Sequence, residues 1–190
     1  KISLNNYYIK GHFLRSDLFL FTNFGIRMGL NLEDLKKEAY AASKSNKKVV
    51  QALKKKKGNV VDALFKKEHD KAFECIDCLK CANCCKTTGP LFTNKDIDRI
   101  SKHLKMKSGK FVDRYLKLDE DADYVLQSVP CTFLGADNYC SIYEVRPKAC
   151  AEFPHTNRSK QLQILNLALK NTEVCPAVFE IFEQIKTQPK

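Results

Sequence analysis

The sequence has no apolar run long enough to span a membrane and no signal-peptide pattern. Its most apolar patch, residues 18–21, is short, begins well inside the chain and stands beside Asp17. A membrane helix needs about 20 apolar residues, and a signal peptide has a longer apolar core nearer the N-terminus. We therefore expect a cytoplasmic protein without a membrane partner.

Motifs of the common enzyme classes are also missing. The chain contains no P-loop, no dinucleotide-binding fingerprint, no Gly-x-Ser-x-Gly elbow and no His-Glu-x-x-His zinc motif. It has no glycine-rich loop for a methyl donor, and its cysteines lack the C-x3-C-x2-C spacing of radical enzymes. Whether the protein is an enzyme therefore stays open, and no catalytic residue is predicted.

Cysteine is the residue that the sequence has in unusual number. Nine cysteines in 190 residues are about 5% of the chain, which is below the density of small secreted disulfide proteins. Five of them lie between Cys75 and Cys85. In a chain without an export signal, such a pattern indicates metal binding or catalysis more often than disulfides. Thiolates are soft ligands that suit zinc, Cu(I) and iron–sulfur centres.

The spacing within this cluster distinguishes its thiols. Cys78, Cys81 and Cys84 form C-x2-C-x2-C, in which each pair has the spacing of zinc sites and the triplet that of bacterial ferredoxins. Cys175, which a proline follows, could be the remote fourth thiolate of such a set. Neighbouring side chains diverge, so Cys85 either binds a second ion of a multinuclear site or is no ligand. A disulfide between the two neighbours would be strained.

Three further cysteines, Cys131, Cys140 and Cys150, are separated by nine and ten residues. A zinc ribbon would need a second C-x2-C pair, which the sequence lacks, so each thiol must come from a separate turn or element. Alone, each could be a small buried apolar residue. Beside the cluster, metal ligation is the favoured interpretation. We therefore expect a site buried among several elements instead of a small zinc finger.

The full chain has a net charge of +11. This positive charge is concentrated in the first part of the chain. Residues 28–72 have twelve basic and six acidic side chains, whereas residues 73–190 have seventeen and fifteen. A nucleic-acid-binding surface would be expected on or beside the metal site. The run Lys54–Lys57 is therefore interpreted as a solvated helix end, and no nucleic-acid partner is expected. A zinc-dependent nucleic-acid binder is kept as a second alternative, which salt-dependent binding would reveal.

The sequence also predicts the domain boundaries. Residues 1–27 show neither a helical nor a strand period for long. We expect them to be a loose extension upstream of a natural start at Met28. Residues 28–190 are expected to form a single domain, with a basic helical part at 28–72 and a metal-site part at 73–190.

The predicted fold is an α-rich α+β class, in which helices and a small β-hairpin surround a cysteine-ligated metal centre. Apolar residues at three- and four-residue intervals predict two or three helices over 32–73, with a helix end at Gly58-Asn59. Further helices are predicted to begin at Thr93, to cover 108–116, to begin at Arg146 and to follow Pro176. Strands are predicted at 124–129 and 138–143, paired as a hairpin, and at 161–169.

Several strings resemble a known bacterial family: CLKCANCC, VPCTFL, NYCSIYEVRPKACAEFP and CPAVFEIFEQI. They are similar to the zinc- or iron-chelating, YkgJ-like domains with the CxxCxxCC signature, over roughly residues 73–185. Cys75 lies outside the pattern, and Ala82 stands where the family often has glycine, which a turn with positive φ favours. The resemblance implies eight metal-binding positions: Cys78, Cys81, Cys84, Cys85, Cys131, Cys140, Cys150 and Cys175.

The resemblance also implies a function. It indicates a metal-binding protein that chelates iron, as an iron–sulfur cluster, or zinc; we favour iron, with a redox or metal-handling role. Some relatives are described as flagellin lysine N-methylases, so a protein lysine N-methylase is the alternative. Tyr143 and Phe153 are expected to pack around the site, and Glu144 and Arg146 to form a buried pair. His155 is left out, because a lone histidine is more often only hydrogen-bonded.

Overall fold

The computed structural model describes residues 32–188, so the predictions about residues 1–27 and Met28 lie outside the described residues. The described chain is α-rich with a small antiparallel sheet, which confirms the predicted α+β class. The helices are α1 (Leu32–Leu53), α2 (Gly58–Cys75), α3 (Cys78–Cys81), α4 (Asn83–Thr87), α5 (Asn94–His103), α6 (Ser108–Tyr115), α7 (Lys148–Glu152), α8 (Leu165–Asn171) and α9 (Pro176–Thr187). The strands are β1 (Leu91–Phe92), β2 (Leu116–Leu118) and β3 (Tyr124–Leu126), and 3-10 turns cover Tyr143–Val145 and Gln161–Gln163.

A helical core is built from α1, α2, α8 and α9. The buried residues of α1 recur at three- and four-residue spacing, which puts them on one face of the helix. Helix α9 packs against α2 and α1, and Phe182 meets Phe65 edge to face at 6.2 Å between ring centroids. Both rings are fully buried. The predicted proline at the first position of the last helix is confirmed by Pro176.

The predicted helix end at Gly58-Asn59 is wrong. Helix α1 ends at Leu53, and Gly58 is the first residue of α2. The lysine run forms the connecting turn: Lys57 is extended, with φ −67° and ψ 141°, and its carbonyl already accepts from the amide of Val61 at 3.2 Å. The chain therefore reverses at the lysines, and the glycine starts a helix instead of ending one.

A second, mixed core joins α5 and α6 to the sheet, whose strand order is β1-β3-β2. Its buried side chains include Ile100, Phe111 and Phe133. The rings of Phe111 and Phe133 are stacked, with 6.2 Å between their centroids. The predicted helix start at Thr93 is confirmed as a capping box with Asp96. The short helix predicted from Arg146 is also present, as α7.

The predicted hairpin is wrong in one of its strands. Strand β3 pairs with β1 and β2, and residues 138–143 contribute only an isolated bridge between Leu134 and Cys140. The turn between β2 and β3 explains the difference. One carboxylate oxygen of Asp119 accepts from the amides of Asp121 at 3.0 Å and Asp123 at 2.9 Å. The tight connection therefore brings β3 to the preceding strand, not to the following loop.

The strand predicted at 161–169 is also wrong, because the segment forms a 3-10 turn followed by α8. Leu165 and Ala168 are buried in the helical core at three-residue spacing, a helical period hidden in an alternating pattern. Asp62 of α2 fixes the entry to this segment by accepting from the amides of Lys160 and Gln161, both at 2.8 Å. In residues 32–188 no helix combines the length and apolarity that a membrane crossing requires.

Candidate metal centre

The centre of the cysteine cluster is a bend between two one-turn helices, α3 and α4. Asp77 caps α3 by accepting from the amide of Leu79 at 2.9 Å. Ala82 joins the helices in the left-handed region, with φ 47° and ψ 18°, and its amide donates to the carbonyl of Cys78 at 2.8 Å. Left-handed backbone costs a residue with Cβ roughly 1–2 kcal/mol. The position at which the family often has glycine thus has positive φ here, although alanine occupies it.

A main-chain hydrogen bond brings the loop of the second cysteine group to this bend. The amide of Cys131 donates to the carbonyl of Cys85 at 2.7 Å. The loop then doubles back, since the amide of Gly135 donates to the carbonyl of Tyr139 at 2.7 Å. A Cβ atom at Gly135 would lie 2.5 Å from Oδ1 of Asp137 and 3.2 Å from that carbonyl oxygen, so a side chain there would force the turn to shift. Cys140 follows directly after this reversal.

The same loop is tied to α3 by a side chain. The amide nitrogen Nδ2 of Asn138 donates to the carbonyl of Lys80 at 3.0 Å, and Asn138 itself has φ 66°. Asparagine tolerates this left-handed conformation better than most residues. The loop between Cys131 and Cys140 is therefore held to the cluster at two points.

The segment of Cys150 is anchored by a buried carboxylate on α5. Asp96, which is 1% exposed, accepts from the amide of Lys148 at 3.1 Å and from Nη2 of Arg99 at 2.6 Å. Burial would raise the pKa of Asp96, but hydrogen bonds from Thr93, Arg99 and Lys148 outweigh it and hold that pKa below its usual value. The carboxylate therefore stays ionised while it fixes the start of α7.

The predicted buried pair of Glu144 and Arg146 does not form. Glu144 is exposed, and the guanidinium of Arg146 lies 3.9 Å from the centre of the Tyr143 ring while Nη1 donates to the Tyr143 carbonyl at 2.7 Å. A guanidinium stacks well on an aromatic ring. The segment of Cys150 is held instead by Asp96 and by Arg99, whose Nη2 donates to the carbonyl of Arg146 at 2.9 Å.

Cys175 approaches the cluster from the helical core. It is 7% exposed, the only cysteine in the described residues that is buried, and it directly precedes α9. Nδ2 of Asn83, on α4, donates to the carbonyl of Val174 at 2.7 Å, which holds the two segments together. Burial, with smaller contributions from Cys78 and Cys81, raises the pKa of the Cys175 thiol to about 12.

The other thiols also influence each other. Burial raises the pKa of Cys150 to about 12, with further contributions from Cys85, Cys131 and Cys140. For Cys85, the hydrogen bond with Cys84 is the largest cause of a strongly raised pKa, followed by burial. Thiolates so close together repel one another, so these groups keep their protons until a cation compensates the charge. A set of soft thiols this close together has the donor chemistry of a zinc or iron site.

The sulfur positions are not those of a closed coordination shell. Among residues 32–188, no three His, Cys, Asp or Glu side chains already stand together as they would around an ion. In this part of the chain, the hydrogen bonds described above bring the backbone segments together without gathering three such side chains around one point. Thiolates reach zinc at about 2.3 Å, which sets how far each sulfur must close.

Two side chains near the cluster differ from the eight predicted ligands. Cys75 is exposed at the end of α2. His155 has a buried Nδ1 without a hydrogen-bond partner, and the charges that act on its pKa come from Glu152 and Arg158, not from thiols. Its ring lies edge-on to Phe153, which packs against the helical core.

Comparison with known families identifies the chain. A family model described as "CxxCxxCC: Putative zinc- or iron-chelating domain" matches residues 77–176. The chain belongs to this family. The match starts after Cys75 and includes all eight predicted positions. Membership in this family supports a protein that binds metal ions by chelating zinc or iron. The description of the family names no reaction. No solved structure matches the chain with significant similarity.

Proposed function

We propose that this CxxCxxCC domain chelates iron or zinc through the eight cysteines predicted from the sequence, with iron in an iron–sulfur cluster as the favoured form. The observation that carries this proposal is the convergence of two remote segments on α3 and α4. The loop from Cys131 to Cys140 reaches them through two hydrogen bonds, and the segment of Cys175 through Asn83. These contacts gather cysteines that are up to 97 positions apart in the chain, from Cys78 to Cys175.

The protonation of the thiols predicts how metal binding responds to pH. At neutral pH, Cys150 and Cys175 carry their protons, because burial raises each pKa to about 12. A metal ion binds thiolates, so binding must release these protons to solvent. The affinity therefore falls as the pH falls. Titration of metal into weakly buffered protein should release protons, and no release would contradict thiolate ligation.

Metal identity decides between two roles within this proposal. An iron–sulfur cluster would support a redox or electron-transfer role. Zinc with four thiolates and no open position would be structural. In either case the binding free energy adds to the folding free energy, because the ligands come together only in the folded chain.

The test is purification without oxygen, followed by the visible spectrum and by assays of iron, zinc and acid-labile sulfide. Brown protein with iron and sulfide supports the cluster. Colourless protein with stoichiometric zinc supports chelation but overturns the preference for iron. Protein that retains no metal, and gains none when it is incubated with zinc or with ferrous iron and sulfide, contradicts the proposed function.

A further inference from the structure

The adjacent pair Cys84 and Cys85 divides the cysteine site. Both lie on α4, where successive side chains are rotated by about 100° around the helix axis. The two sulfurs therefore leave the helix in different directions, and the hydrogen bond between them keeps the groups that they join adjacent. The surroundings of α4 show which groups each of them can join.

Cys85 belongs with the loop side of the site. Its carbonyl accepts the amide of Cys131 at 2.7 Å, and the bridge between Leu134 and Cys140 folds the loop back toward the same place. Cys131 and Cys140 both pack against the mixed core. Cys150 lies on α7, whose first residue, Lys148, donates its amide to Asp96 of α5 in the same mixed core at 3.1 Å.

Cys175 belongs with the other side of the bend. It is part of the helical core, and the bond from Asn83 to Val174 places it beside α4. The cysteines that act on it electrostatically are Cys78 and Cys81 of α3, not those of the loop. Cys84 continues the three-residue spacing of that pair, which suits one ion.

We propose that the eight thiols form two neighbouring four-thiolate sites that share the bend at Ala82, each able to hold its own metal ion or cluster. This inference rests on the proposed function and specifies its stoichiometry. The first tetrad packs on the helical core and consists of Cys78, Cys81, Cys84 and Cys175. The second tetrad packs on the mixed core and consists of Cys85, Cys131, Cys140 and Cys150.

Four ligands per site match the tetrahedral preference of thiolate-bound zinc and the four-cysteine ligation of iron–sulfur clusters. The two sites are adjacent, since Cys78 of the first tetrad also interacts with Cys85 of the second. Each ion compensates the mutual repulsion of its own four thiolates. The adjacent cysteines of the signature thereby serve different sites.

The test counts bound metal in single variants of the full chain. Cobalt(II) is the probe, because its visible and near-ultraviolet bands report thiolate ligation, and the metal that the purified protein carries is counted in parallel. Wild-type protein should bind two cobalt ions per chain. C175S and C150S should each bind one, a twofold loss, and C75S should keep both.

Double variants assign Cys84 and Cys85 to their tetrads. C84S/C175S removes two ligands of one tetrad and should keep one cobalt ion, whereas C84S/C150S damages both tetrads and should keep none. Likewise C85S/C150S should keep one ion and C85S/C175S none. Circular dichroism of each variant checks that the helices remain, and C81S and C140S replace C175S and C150S if either fails to fold.

Three results would overturn the division. Loss of all metal in every single ligand variant would indicate one shared cluster. One ion per wild-type chain would do the same. A reversed pattern in the double variants would show that Cys84 and Cys85 have been assigned to the wrong sites. Each leaves the proposed chelation intact, whereas wild-type protein without any metal contradicts the chelation itself.

Discussion

The helical part and the cysteine part of this chain acquire their structure differently. Helices α1 and α2 have 22 and 18 residues, and their apolar faces close on α9 around fully buried phenylalanines. Helices α3, α4 and α7 have four or five residues each, far below the 12–15 or so at which an isolated helix becomes even marginally stable. Apolar burial therefore specifies the first part, whereas the second depends on polar contacts, on packing against the mixed core and on the proposed metal.

Metal removal should separate the two parts most strongly. Structural zinc contributes about 10–16 kcal/mol to the folding of small zinc-finger peptides, so loss of the proposed metal should destabilise the cysteine part most. We expect a chelator to abolish hydrogen-exchange protection over 77–87 and 131–152 while α1 and α2 remain protected. Mass spectrometry of exchanged peptides measures this. Equal loss of protection in α1 and α2 would mean that the two parts unfold together.

Phe65→Ala should instead destabilise the helical part of the chain. Phe65 is 0% exposed and packs on Phe182, and truncation of a buried phenylalanine costs about 3–5 kcal/mol. Urea denaturation followed by far-ultraviolet circular dichroism should show that loss. Phe65→Leu is the matched control and should lose less, because it retains most of the apolar volume. Undiminished stability of the alanine variant would refute the assignment of the helical core.

Asp96→Ala should weaken the link between the mixed core and α7. The variant loses the carboxylate half of the capping box, which accepts from the Thr93 amide and is worth about 1 kcal/mol. It also leaves the donors of Arg99 and Lys148 without the Asp96 carboxylate, at about 1–3 kcal/mol. We expect a total of roughly 2–4 kcal/mol and faster metal release from the second tetrad. Asp34→Asn, which removes an exposed pair with Lys37, is the control and should change little.

Because the pKa of Asp96 is lowered in the folded protein, the stability that its contacts contribute depends on pH. Its contribution is present above the ordinary aspartate pKa and is lost as the pH falls through the lower folded value. Wild-type protein should therefore lose stability at acidic pH more steeply than Asp96→Ala. Parallel curves for the two proteins would contradict this role of the carboxylate.

The smallest effect is expected from two histidines beside the helical core. Burial lowers the pKa of His69 and of His155, and the charges of Asp70 and Glu152 only partly oppose it. The unfolded chain takes up protons at these sites below about pH 6.5, before the folded chain does. Stability should therefore decline as the pH falls through the lowered values.

The melting temperature of metal-free protein between pH 7 and pH 5 tests this prediction without interference from thiol ligation. The decline should be smaller in His69→Gln, which retains a polar partner for Thr156, whose hydroxyl now lies 2.7 Å from Nδ1 of His69. The same decline in the variant and the wild type would exclude His69 as its cause.

Sequence reasoning succeeded where a local pattern decides the structure. The three- and four-residue period predicted α1 and α2, the capping box predicted the start of α5, and Pro176 predicted the start of α9. It failed at 138–143 and 161–169, where alternation of apolar residues suggested strands. There the outcome depends on tertiary partners: the carboxylate of Asp62 fixes the second segment against α2, and no strand reaches the first.

The site divides in the same way. Cysteine spacing indicated a metal site, because soft ligands at short intervals have few other uses, and the family resemblance supplied the set of eight candidate thiols. It could not show how they meet, since Asn83, Asn138 and Asp96 act through contacts with residues 52–91 positions away. Asparagine and aspartate are common polar residues, and no motif in the sequence predicts these contacts. Their role follows only from the folded arrangement.

The alanine at the bend has a consequence for the entropy of ligand binding. Glycine at Ala82 would adopt positive φ without steric penalty, but it would also let the unliganded bend sample many other conformations. Alanine confines the junction to fewer states, so more of its ordering occurs when the chain folds and less remains for the moment of metal capture. Alanine therefore preorganises the bend. It adds a local steric penalty when the chain folds and lowers the entropy cost of ordering the bend when metal binds.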